Sequence, residues 1–135
     1  MAMTPLMLDT SAYAAFKRGH RDAIQALRQA EKILIPTIVL GELLAGFEAG
    51  SRRQKNRSEL EEFQRSPRVS LVPVTMETAE RYAHIYAYLR QNGRPIPTND
   101  LWIAAAAMEH SAELVTYDAH FLNVVQILVT YINAS

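Results

Sequence analysis

Cysteine is absent from the chain, so it can form neither disulfides nor thiolate metal sites. No stretch reaches the roughly 18 uncharged apolar residues that a membrane span requires. The first residues lack a basic region followed by a long apolar run, so no signal peptide is expected. An excess of charge is missing too: 14 Lys+Arg balance 14 Asp+Glu, for a formal net charge of zero. That excludes the strongly basic balance of a protein that coats nucleic acid. Repeats, linkers and low-complexity segments are lacking as well, so one domain over residues 1–135 is expected. These absences suit a cytoplasmic protein with no membrane partner. What the chain does have is a 49% hydrophobic content over 135 residues, enough for a real core.

Short apolar runs alternate with longer helical patterns. Candidate strands are Leu6-Met7-Leu8, Ile33-Leu34-Ile35, Val69 to Val74, Leu114-Val115-Thr116 and Gln126 to Val129. Helical stretches are expected over about 11–31, 37–66, 76–92 and 100–111. Strands this short, separated by helices, read as βαβ units around a buried parallel sheet. The expected fold is a three-layer α/β/α sandwich with a central, mainly parallel sheet of four to five strands. Gly46, Gly50 and Ser51 break the 37–66 stretch into two helices, which would protrude as a hairpin. Arg94-Pro95-Ile96-Pro97 is a stiff connector, after which Thr98 or Asn99 can cap the next helix.

Four acids carry the functional reading, and each has an ordinary explanation beside it. Asp9 follows the first strand, as a helix cap or as a carboxylate at the carboxyl end of a parallel strand. Glu42 sits on a helical face beside Ile38, Val39, Ala45 and Gly46. There it needs either an internal salt bridge or a bound cation, because an unpaired carboxylate would be desolvated. Asp100 opens a helix and complements its dipole. Asp118 follows Leu114-Val115-Thr116-Tyr117, where a turn or cap role is the plain alternative.

Taken together, the four fall on one edge of a doubly wound sheet. Two carboxylates about 5 Å apart repel by roughly 3 kcal/mol at an effective dielectric of 20. Several such pairs call for a counter-charge. An oxygen-only set with no Cys and no His favours Mg²⁺ or Mn²⁺ over zinc. With these four acids set aside, 14 basic residues face 10 acidic ones, so the neutral total leaves room for an RNA substrate.

At these residues the chain resembles the PIN-domain family, and within it the VapC-type toxins of toxin–antitoxin pairs. The match is carried by Leu8-Asp9-Thr10-Ser11, Gly41-Glu42-Leu43, Asn99-Asp100-Leu101-Trp102-Ile103-Ala104-Ala105 and Leu114-Val115-Thr116-Tyr117-Asp118-Ala119-His120-Phe121, in order over nearly the whole chain. The resemblance implies a single PIN domain acting as a metal-dependent endoribonuclease, with a homodimeric toxin form and a small VapB-like antitoxin. By matching positions, Asp9, Glu42, Asp100 and Asp118 would be the catalytic, metal-binding acids. Thr10, Ser11, Asn99 and Thr116 would be supporting polar residues. Hydrolysis by metal-activated water needs no side-chain nucleophile.

Other features have simpler readings. The four histidines show no metal-site spacing, and His120 stands out only by its nearness to Asp118. Trp102 reads as core, and Tyr82 and Tyr86 share a helical face suited to packing or an interface. The basic run Arg52-Arg53-Gln54-Lys55-Asn56-Arg57 is a solvated face or a contact for phosphate or antitoxin. Apolar Leu40, Leu43, Leu44 and Phe47 before it are more than one helix can bury, so an exposed apolar patch is expected there. The alternatives are a PIN nuclease of RNA processing without an antitoxin and a non-catalytic PIN-fold interaction module. A dehalogenase-type phosphatase needs an Asp where Ser11 stands.

Overall fold

A computed structural model describes residues 3–133. Five strands, β1 (Leu6–Leu8), β2 (Ile33–Pro36), β3 (Val69–Val72), β4 (Glu113–Thr116) and β5 (Leu128–Tyr131), form one sheet. All pairings are parallel, in the order β3-β2-β1-β4-β5. Six helices flank it: α1 (Thr10–Lys17), α2 (Arg21–Gln29), α3 (Thr37–Ala49), α4 (Arg53–Gln64), α5 (Met76–Gln91) and α6 (Thr98–Glu109). Successive connections run from β1 out to β3 and then back across to β4. Right-handed crossovers in opposite directions put helices on both faces, giving the three layers.

Burial follows position in the sheet. The three inner strands are almost wholly buried, while the edge strands β3 and β5 are half-open. Met7, Leu8, Ile33, Ile35, Leu114 and Val115 form the centre of the core. The inner strands fall where their apolar runs predict. Strand β5 starts two residues later than its apolar run, because hydrogen bonding to β4 sets its place (Glu113 opposite Leu128, Thr116 opposite Tyr131) and an edge strand has no second buried face to mark it.

The helical expectation over 11–31 divides in two. Gly19 adopts φ +83°, and the amides of Gly19 and His20 close back on the carbonyls of Phe16 and Ala15. This left-handed cap ends α1 and lets α2 restart at a new angle. The same cap ends α5 at Gly93 and α6 at Ser111, whose φ of +50° is unusual for a residue with a Cβ. α6 begins at Thr98 behind Pro97, with no side-chain cap from Thr98 or Asn99.

The hairpin of α3 and α4 is present, turning at Gly50-Ser51-Arg52. Its apolar half is better covered than the sequence implies: Val39 and Leu43 are buried, and Leu40, Leu44 and Phe47 are half-buried against the core. Helix α4 buries only Leu60. The large exposed apolar side chains lie instead towards the two sheet edges, among them Leu71, Val74 and Met76 on one side and Leu122, Val125 and Leu128 on the other.

Candidate active site at the carboxyl edge of the sheet

Strand β1 is central, and the chain leaves it towards β2 on one side and returns to β4 on the other. The crevice between the carboxyl ends of β1 and β4 is therefore the topological switch point, where open α/β sheets bind ligands. All four sequence-predicted acids belong to segments that end or begin at this edge. Asp9 follows β1, Glu42 lies in α3 after β2, Asp100 stands in the first turn of α6, and Asp118 follows β4.

Asp9 is 4% exposed. It is the N-cap of α1, accepting from the Ala12 amide at 2.8 Å, so the cap reading holds and the residue also faces the crevice. Ser11 Oγ donates to Asp9 Oδ1 at 2.7 Å, and Thr116 Oγ1 donates to Oδ2 at 2.5 Å. Ser11 Oγ in turn accepts from the Tyr117 amide, and Thr116 Oγ1 from the Asp118 amide, at 3.0 and 2.9 Å. The two hydroxyls thus tie β1 to β4 at the crevice. Burial raises the Asp9 carboxyl above its ordinary range, although its hydrogen bonds act the other way.

Glu42 is held by two other supporting residues. Thr10 Oγ1 donates to its Oε1 at 2.5 Å and Asn99 Nδ2 to its Oε2 at 3.2 Å. Asn99 therefore spends its amide across the crevice rather than on capping α6. The internal salt bridge considered for Glu42 does not form. Among the described residues, the ion pairs of lysine and arginine go to Glu59, Glu48 and Glu77, and none reaches the four acids.

The outer part of the crevice is wetter. The Asp100 and Asp118 side chains are 16% and 35% exposed. Asp118 caps a short 3-10 turn, Ala119–Asn123, by accepting from the His120 amide. The imidazole of His120 folds back over the acids, its Nδ1 2.9 Å from Asp118 Oδ1 and 3.8 Å from Asp100 Oδ2. Asp100, Asp118 and His120 bring one ligand atom each to within 4.8 Å of one another. Asp9 and Glu42 stand outside this compact group but act on it. Burial, then Asp118 and Glu42, push the Asp100 carboxyl up to about 6, against a smaller opposing effect of His120.

The donor set fits a divalent cation. Clustered carboxylates without a lysine or arginine counter-charge, one of them raised to about 6 by burial and its acidic neighbours, suit a site for a divalent cation. Beside the acids read from the sequence, the structure brings the His120 imidazole to the same edge. The signal for His120 was its place two residues after Asp118, where an Asp-capped turn carries both side chains to the same side.

The family profile described as the PIN domain matches residues 6–126. The chain is 30% identical to Ribonuclease VapC5 of Mycobacterium tuberculosis over 129 residues, 90% of each chain. It is 31% identical to Ribonuclease VapC2 of Rickettsia felis over 114 residues, 82% of this chain and 84% of that one. Among solved structures it superposes on a chain of VapBC2 from Rickettsia felis bound to a promoter DNA fragment with a TM-score of 0.84. That match has 26% identity and covers 95% of this chain and 98% of the other. A chain that carries the PIN sequence pattern from its first strand past its fourth, on this fold and with relatives of this kind, belongs to the PIN-domain family and, within it, to the VapC-type proteins.

Proposed function

We propose that this chain, as one PIN domain over residues 1–135, is a metal-dependent endoribonuclease and the toxin of a toxin–antitoxin pair. The observation that carries the reading is the convergence of Asp9, Glu42, Asp100 and Asp118 on the switch-point crevice with no lysine or arginine paired to them among the described residues. The matched relatives are named ribonucleases, which supports the same activity here.

In this reading the four acids hold Mg²⁺ or Mn²⁺. The bound cation would supply Lewis acidity towards water and the scissile phosphate. The protein does the rest. Ser11 and Thr116 fix the Asp9 carboxylate, and Thr10 and Asn99 fix that of Glu42, so the acids are oriented before substrate arrives. Water is the nucleophile, and a 3′-hydroxyl leaves to give a 5′-phosphate product. The basic run, with Arg52, Arg53 and Lys55 exposed and Arg57 half-buried, would guide RNA.

A VapB-like antitoxin is the proposed partner, because the Rickettsia felis structure is a VapBC complex. Its seat would be the groove between α1, α3 and α4, lined by Tyr13, Leu43 and Phe47 with Lys17 and Glu59 at its rim. The Tyr13 hydroxyl is buried there with no hydrogen-bond partner. A homodimer is the proposed toxin form. The aromatic face of α5 and α6 would serve it, where Tyr82 lies parallel to Tyr86 and tilted against Trp102, and Tyr86 is exposed. Among the described residues no helix is long and apolar enough to cross a membrane. The proposed substrate places the protein in the cytoplasm.

The test is sequencing of RNA ends after brief induction in cells, wild type against Asp9→Asn. New 5′-phosphate ends that depend on Asp9 are expected. Identical end profiles would overturn the proposal.

A further inference from the structure

The four acids offer a cation oxygen ligands only, yet His120 sets a nitrogen beside two of them. His120 is placed by its local fold. Phe121, its neighbour in the 3-10 turn, is fully buried and anchors that turn to the core. Asp118 caps the same turn through the His120 amide. The imidazole is half-exposed, its covered half turned towards the acids.

The spacing suits ligands on one ion as well as the ion pair that His120 makes with Asp118. Atoms bound about 2.1 Å from a small divalent cation stand roughly 3 Å apart when adjacent and about 4.2 Å apart when opposite. The Nδ1 atom lies 2.9 Å from Asp118 Oδ1 and 3.8 Å from Asp100 Oδ2, within that range. A neutral imidazole with its hydrogen on Nε2 offers Nδ1 as a lone-pair donor.

We propose that His120 is a metal ligand through Nδ1, completing an Asp100–Asp118–His120 set that selects Mn²⁺ over Mg²⁺. The inference rests on the metal-site reading above and adds to it a ligand and a preference. Mg²⁺ keeps oxygen ligands and water, whereas imidazole nitrogen suits the first-row transition ions. A single nitrogen therefore shifts the balance between two cations that the carboxylates alone would treat alike.

The experiment is Mn²⁺ binding followed by electron paramagnetic resonance, with Mg²⁺ binding measured by competition. Electron spin-echo modulation on the Mn²⁺-loaded wild-type protein should show a directly bound ¹⁴N, replaced by a ¹⁵N pattern when the protein is made with ¹⁵N-histidine. His120→Asn and His120→Gln should each weaken Mn²⁺ about tenfold or more and Mg²⁺ by less than about threefold. The isotope measurement needs no substitution, so a poorly folding variant does not blunt the test. Mn²⁺ bound without nitrogen modulation, or an unchanged preference in both variants, overturns the His120 assignment alone. Failure of Mn²⁺ to bind wild type, or equal binding by Asp118→Asn, overturns the metal site itself and this inference with it.

Discussion

The crevice has a dry half and a wet half. Around Asp9, three hydrogen bonds from Ser11, Ala12 and Thr116 converge on a carboxylate sealed from solvent. Around Asp100 and Asp118, hydrogen bonds are fewer, water has access, and a half-exposed imidazole stands over the acids. The first arrangement is a fixed part of the framework, because it also caps α1 and ties β1 to β4. The second is free to exchange partners. A site that must hold a cation and still admit a phosphate needs both: one carboxylate whose direction never changes, and others that are reachable.

The largest effect should fall on catalysis. Asp9→Asn, Glu42→Gln, Asp100→Asn and Asp118→Asn should each lower Mg²⁺- or Mn²⁺-dependent RNA cleavage on the order of 100-fold or more, measured on purified folded protein. Excess EDTA should abolish wild-type cleavage. The two halves should differ in rescue. Raising Mn²⁺ should restore part of the activity of Asp118→Asn and none of that of Asp9→Asn, and equal rescue would erase the distinction.

Stability should separate the halves in the opposite sense. Asp9→Ala strands the Thr116 and Ser11 hydroxyls and the Ala12 amide, and should cost about 2–4 kcal/mol in urea unfolding with EDTA present. Asp100→Ala removes a desolvated carboxyl that its acidic neighbours also repel, and should leave the metal-free protein as stable or more stable. A loss of about 2 kcal/mol at Asp100 would make it a structural residue.

A smaller effect concerns pH. Because the folded protein raises the Asp100 carboxyl to about 6, it binds that proton more tightly than the unfolded chain does. The resulting stabilisation is complete below the ordinary carboxyl range near pH 4 and is lost as pH rises through about 6. Metal-free wild type should therefore lose on the order of 2–3 kcal/mol relative to Asp100→Asn over that interval. Parallel stability curves for the two proteins would contradict it.

The smallest effect lies far from the crevice. Ser111→Gly relieves a left-handed residue at the end of α6 and should stabilise by about 0.5–1 kcal/mol in the same urea assay, with cleavage unchanged.

How much of this was legible beforehand depended on range. Leu6-Met7-Leu8 and Ile33-Leu34-Ile35 announce buried strands by composition alone, and Asp9 and Asp118 announce themselves by following strands. The division of 11–31 was carried by Gly19 alone, a glycine that helices tolerate elsewhere, so its left-handed turn had no second signal. The use of Asn99 on Glu42, 57 residues away, left no local trace, because either residue has an ordinary helical explanation. His120 was marked only by its nearness to Asp118. Ligand spacing along a chain describes sites built from one segment, whereas this group is closed by residues from α6 and from the turn after β4.

The hydroxyl of Thr116 meets Asp9 across 107 positions of sequence, and β4 reaches its place beside β1 only after two strands and six helices of intervening chain have been laid down. That pairing is among the most non-local in the molecule, and the entropy of closing so long a loop makes it a late event. A ribosome making this protein therefore holds an incomplete crevice for most of synthesis: Asp118 does not yet exist when Asp9, Glu42 and even Asp100 have emerged. Strand order thus keeps the crevice incomplete until β4 and Asp118 have followed the other three acids.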